Sequence, residues 1–362
     1  ARELRLILWM ETNKIDRNAE TLEWEDRPQI TDSSWATNGA PVEILVQMAN
    51  EAGVDPYFTV NHNWSDDYIR EFATYVRDNL DPKLKAKFEW SNEVWNGLFE
   101  QHHYVAEKAE AEWGERDPFG YYTKLAVNMA QILDDVYGDK ADAQLVKVFG
   151  GFTAIPWLTE RFLTSQFWAD HEPDAAIPVT DVFDEFAVAH YFGGKALRDL
   201  DQREEMLAAI EDPNIDAFNW LAEKLKDPDY DSSIPKTLDI LAQQKAITEK
   251  HGIALTLYEG GQHVHHQFGF ADVGGTLSTF LADFVRSEQM AELYQLLWEG
   301  WSEIGDGAFM NFAASGGISK WGSWGVYASL DDSTPRSEMI EQLKRICQRR
   351  YEIVNGELHN VD

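Results

Sequence analysis

Two glutamates in this chain close apolar runs in a way that core-filling strands do not. Glu93 lies in "KFEWSNEVWN" (residues 87–96), preceded by Asn92 and followed by Trp95, and Glu259 ends "IALTLYE" just before Gly260 and Gly261. A strand that only fills a core stops at a turn residue; these stop at a carboxylate among hydrogen-bonding groups and rings. Two carboxyls with separated pKa values suit the cleavage of an acetal. One is kept protonated to assist a poor leaving group, and the other stays ionised beside an oxocarbenium-like centre. Asn92 can hold a sugar hydroxyl, and Tyr191 of "HYF" (190–192) can donate to Glu259 and keep it anionic. The plainer readings are a helix N-terminal carboxylate for Glu93 and a structural acid before a glycine turn for Glu259.

The elements that must position these residues alternate. Strand-like runs fall at 4–10, 55–61, 86–93, 145–151, 183–191, 253–259 and 307–313, with helical patterns at 41–52, 66–79, 98–112, 120–136, 236–251 and 276–298. That rhythm predicts an α/β fold, a (β/α)8 TIM barrel whose first strand lies upstream of Ala1. A doubly wound sheet competes, but no glycine-rich strand-to-helix turn of the phosphate-binding type is present. One domain over 1–362 is expected, with a helical insertion around 195–235 and a C-terminal helix around 336–352. In a barrel the strand ends share one mouth, which nominates Trp9, Asn61, His62, Trp64, Trp95, His190 and Tyr191 beside Asn92, Glu93 and Glu259. Trp321 and Trp324 in "SKWGSWG" sit among glycines and read as platforms for a sugar ring.

Composition narrows the partners. Formal net charge is -32, from 31 Lys plus Arg against 63 Asp plus Glu, which disfavours nucleic acid, membrane surfaces and strongly anionic polysaccharides. Fourteen Trp exceed what a core needs and favour a carbohydrate ligand. The single cysteine, Cys347, cannot form an intramolecular disulfide. "HVHH" (His263, His265, His266) invites a metal reading, but no cysteine or third-ligand spacing supports one. Neither metal nor organic cofactor is expected. The chain opens directly into a strand-like run, so a targeting segment is expected upstream and the location is expected to be secreted or periplasmic.

The Asn-Glu of "FEWSNEVWN", the later strand-end glutamate of "LTLYEGG" and "HYF" between them resemble the clan A glycoside hydrolases. The resemblance implies retention of configuration, with Glu93 as acid/base on the fourth strand and Glu259 as nucleophile on the seventh. More narrowly, "WMETN", "WSDDYI", "SNEVWNGLF" and "SKWGSWGV" resemble a group of secreted bacterial proteins often joined to cellulose-binding modules, so such a module outside this chain is an expected partner. The expected activity is endo-hydrolysis of a β-linked neutral polysaccharide such as β-glucan, mannan or xylan. The rival readings are a non-catalytic carbohydrate-binding protein on a hydrolase scaffold, a transglycosylase, and a polysaccharide lyase, which the acidic charge disfavours.

Overall fold

Six strands form one sheet in sequence order: β1 (Glu3–Arg5), β2 (Asp55–Val60), β3 (Ala86–Trp90), β4 (Leu145–Gly150), β5 (Glu185–Ala189) and β6 (Ala254–Glu259). The pairs from β1 to β5 are parallel. This computed structural model describes residues 2–194, 198–265, 272–319 and 322–352. Parallel neighbours require crossover connections, and helices supply them: α1 (Val42–Ala52), α2 (Asp66–Asn79), α3 (Glu100–Trp113) and α4 (Pro118–Tyr137) lie between β1 and β4.

Local chemistry sets the helix bounds. In α1, Val42, Leu45, Val46 and Ala49 are buried at helical spacing, and Gly53 closes the helix at φ 61°. In α2, Ser65 accepts from the Tyr68 amide, Asp66 and Asp67 occupy the first turn, and Arg77 the last. The expected single helix at 276–298 is two, Thr276–Phe284 and Glu288–Ile304, because Ser287 caps a fresh start by accepting from the Met290 amide.

Every residue of β3 is buried, including Lys87 and Glu89. Their side chains alternate with Phe88 and Trp90 and so lie on the opposite face of the sheet. On that face Lys87 Nζ lies 3.0 Å from Glu3 and 2.8 Å from Glu185, and Glu185 also accepts from Thr256 Oγ1 at 2.9 Å. Arg5 Nη2 meets Glu89 Oε2 at 2.7 Å. Three strands thus place interlocking charges on one surface, and β6 adds a hydroxyl to it.

Two expected strands differ. The run 4–10 is strand only through Arg5; beyond it Trp9 and Met10 amides both return to the Leu6 carbonyl, turning the chain and leaving Leu8 and Trp9 about half exposed. The run 307–313 is not a strand. Asp306 N bonds Leu255 O at one end and Phe312 N bonds Gly260 O at the other, with no ladder between. Six strands rather than seven are therefore present among the described residues.

The chain divides into two compact units. The first comprises Ala1–Val188, Gln243–Tyr258 and Asp306–Ala308; the second comprises Ala189–Ala242, Glu259–Gly305 and Phe309–Asp362. The first holds the sheet up to the last residues of β5 and β6. The second is mainly helical, built on a core that includes Phe192, Leu221, Leu281, Phe284, Leu293 and Leu297. The expected insertion contributes its helices Leu200–Glu211 and Ala217–Lys226, started by Asp199 and Asp216 side chains that accept from first-turn amides. Among the described residues no helix is long and apolar enough to cross a membrane.

Candidate functional site

Beyond Trp90 the backbone leaves the sheet through an unusual turn. The Ser91 amide still bonds Val60 O at 2.7 Å, but Ser91 (φ 60°) and Glu93 (φ 42°) are both left-handed. For residues with a Cβ that conformation costs about 1–2 kcal/mol each, so the surroundings must enforce it. Asn92, between them, is bound at three points. Its Oδ1 accepts from Arg5 Nη2 at 2.8 Å, its Nδ2 donates to Asn13 Oδ1 at 3.0 Å, and its carbonyl accepts from Gln101 Nε2 at 2.6 Å. One amide hydrogen and one lone pair of the Asn92 side chain remain beyond these contacts. Glu93 accepts from Asn96 Nδ2 at 2.9 Å and from Tyr258 Oη at 3.4 Å.

Arg5 underlies this arrangement. Its guanidinium is forked onto Glu89 through Nε (3.2 Å) and Nη2 (2.7 Å), and its centre lies 4.9 Å from the Tyr258 ring centroid. One buried cation therefore holds both Asn92 and the ring whose hydroxyl reaches Glu93. Gly150 on β4 makes room for the pair, since a Cβ there would overlap Glu89 Oε1. Trp95 stacks on Phe152 at 4.0 Å, with its indole Nε1 buried and unpaired.

In the second unit Tyr191 Oη donates to Glu259 Oε1 at 2.8 Å, and the Tyr191 ring stacks on His263 at 3.8 Å. His263 and His265 in turn present to Trp324, at 6.1 and 5.2 Å between centroids. His190 is fully buried, with Nε2 2.6 Å from the Met310 carbonyl; a carbonyl only accepts, so Nε2 carries the proton. Burial lowers its pKa to about 4, and burial followed by the charges of His265 and Arg198 takes His263 down to about 3. Both rings are neutral at neutral pH. A Cβ on Gly260 would overlap the His190 ring, which explains a glycine directly after Glu259.

The remaining nominated residues divide. His62 is 3% exposed, lies against Tyr104 and bonds the Asp16 carbonyl at 3.3 Å, and burial lowers its pKa; its ring is enclosed rather than open to a mouth. Asn61 donates to Met10 O at 3.1 Å, and Trp64 stacks on Tyr68 at 4.1 Å. Both line a cavity in the first unit that none of the residues seen to hold Glu93 lines. Trp9 sits on the exposed turn described above. Trp321 and His266 lie outside the described residues, among which no group of three or more His, Cys, Asp or Glu is placed to hold a metal.

Arg5, Glu89, Gln101 and Tyr258 were not nominated from the sequence. The available signal was the alternation of Lys87 and Glu89 with Phe88 and Trp90, which reads equally as a half-exposed strand.

No family model matches the chain, and no curated protein sequence does. Among solved structures it is similar to one described as a modular endo-β-1,4-mannanase from Cellulomonas fimi, of glycoside hydrolase family 26, at 11% identity and a TM-score of 0.45. The alignment covers 94% of this chain, which spans 62% of that structure's length.

Proposed function

We propose that this chain is a glycoside hydrolase that cleaves a β-linked, neutral polysaccharide by double displacement, with Glu93 as general acid/base and Glu259 as nucleophile. The observation that carries this reading is the strand-end turn at Ser91–Glu93: two left-handed residues around an asparagine fixed by Arg5, Asn13 and Gln101, presenting a carboxyl to Tyr258 and Asn96. Strain of that kind persists only where surrounding contacts over-determine it, and it clusters at sites that do work. The Tyr191 hydroxyl supports the second role, because a donor at 2.8 Å orients the Glu259 carboxyl. A neutral substrate suits a chain of net charge -32. The motif likeness to secreted proteins is the ground for proposing export and a fused cellulose-binding module.

Reducing-end release from β-glucans, mannans and xylans tests the reading. Glu93→Gln and Glu259→Gln should each lose about 10²–10⁴-fold in kcat with folding intact by circular dichroism. Aryl glycosides with good leaving groups should restore bond cleavage to Glu93→Gln but not to Glu259→Gln, which separates acid from nucleophile. If the wild type binds these glycans but releases nothing, the hydrolase reading gives way to a carbohydrate-binding one.

A further inference from the structure

We infer that the first unit carries a second carbohydrate site, a pocket for a neutral mono- or disaccharide at the end of β2, separate from the residues that hold Glu93. The cavity measures about 350 Å³, at the small end of the roughly 300–1,000 Å³ typical of small-molecule sites. Its wall joins two kinds of surface. Trp64, Tyr68, Phe72, Met10 and Leu45 give it an apolar, aromatic side, and Asn61 and Asn63 bring amides to it from the end of β2.

Those amides are half used. Asn61 Nδ2 donates to the Met10 carbonyl and Asn63 Nδ2 to the Glu20 carbonyl, yet both Oδ1 atoms are buried without a partner. Each residue is 5% exposed. A buried carbonyl left unpaired is costly, so two on one cavity wall mark a place where a donor belongs. Around the mouth, Lys14, Asp16 and Glu20 are exposed and offer both signs of charge. A ligand with one apolar face, several hydroxyl donors and no net charge satisfies all three features, and a pyranose has those properties. A metal ion is disfavoured, because among the described residues no three His, Cys, Asp or Glu are placed together to hold one, and one wall of the cavity is aromatic. An anion fits poorly, since two of the unpaired polar atoms on its lining, Asn61 Oδ1 and Asn63 Oδ1, are acceptors against one donor, Arg27 Nε, and Asp16, Glu20 and Asp26 also line it. The inference does not depend on catalysis by Glu93 and stands if the chain hydrolyses nothing.

Calorimetric titration of the full chain with cellobiose, mannobiose and xylobiose is the test, run on the wild type and on three variants. Glu93→Gln removes the proposed acid and stops turnover during the titration. Ala19→Trp blocks the cavity from its lining without deleting a hydrogen bond. Asn63→Ala removes one unpaired acceptor. Binding of at least one disaccharide to both wild type and Glu93→Gln is expected, abolished in Ala19→Trp and weakened about tenfold in Asn63→Ala, as one lost hydrogen bond at a buried site implies. Should Asn63→Ala fail to fold, Glu20→Gln at the exposed rim keeps the comparison, with a smaller weakening expected. Affinity unchanged in a folded Ala19→Trp overturns the proposal, as does the absence of binding to the wild type. Binding lost in Glu93→Gln but kept in Ala19→Trp also overturns it, and leaves the hydrolase reading intact. Binding as expected without reducing-end release from any glycan would sustain this site and remove the hydrolase reading.

Discussion

The two proposed catalytic carboxyls are held by different chemistry. Around Glu93 the supports are charged and strained: a buried Arg5–Glu89 pair, a triply bound Asn92 and two left-handed residues. Around Glu259 they are neutral and aromatic: the Tyr191 hydroxyl, His263 beneath it, and His190 kept uncharged by burial. An ion pair fixes position strongly but is costly if half of it is lost. Neutral rings give weaker positioning that fails gently, except where pH can charge them.

The sharpest way to break that contrast is Arg5→Ala. It leaves Glu89 buried without its cation and should lower stability by about 3–5 kcal/mol, measured by denaturant unfolding. Replacing both partners, Arg5→Met with Glu89→Met, should recover most of that loss while leaving turnover impaired, because Asn92 and the Tyr258 ring lose their support. Equal damage in the single and double variants would show that the charge pair itself was not what mattered.

Acid tests the second region. His190 has its pKa lowered from 6.5 to about 4, so between those values the unfolded chain takes up a proton that the folded chain refuses. Its contribution is fully present above pH 6.5 and is lost as pH falls towards 4, on the order of 3 kcal/mol at one pH unit per 1.36 kcal/mol. His263 adds to this loss in the same direction. Unfolding midpoints from pH 7 to pH 4.5 should fall for the wild type and fall less for His190→Gln, which keeps a donor for the Met310 carbonyl. Parallel curves would remove His190 from the account.

The smallest effect on folding should come from Tyr191→Phe, within about 1 kcal/mol. Turnover should nevertheless drop about tenfold to a hundredfold, as losing a hydrogen bond to a charged group predicts. A melting temperature near wild type together with reduced kcat would mark Tyr191 as positioning the carboxylate rather than building the fold.

Much of this scaffold was legible because it rests on local signals. The helix over 66–79 was readable from its cap, its charges and its apolar spacing, and the strand 55–61 from its β-branched and aromatic run. Tyr191 beside Glu259 was legible in part, since each closes its own strand-like run. What stayed hidden was long-range. Arg5 and Glu89 are separated by 84 residues, and nothing local shows that a charged strand position will be buried and paired. "LRLILWM" misled for a related reason: its unbroken hydrophobicity reads as strand, whereas the chain turns back onto Leu6 and leaves Leu8 and Trp9 half exposed. From the sequence Asn61 and Trp64 belong to one shared mouth; only packing shows that they line a cavity of their own.

The charges on β3 also act before the protein is finished. Phe88 packs near Phe58 and Phe72, at 5.2 and 6.3 Å, on the face opposite Lys87 and Glu89. Were β3 to pair with β2 one residue out of step, its side chains would exchange faces. Lys87 and Glu89 would then meet phenylalanines, and Arg5, Glu3 and Glu185 would be left facing rings. Each stranded charge costs several kcal/mol, so that shifted pairing is strongly disfavoured against the native one. The ion pairs that add little net stability thus proofread the assembly of the sheet.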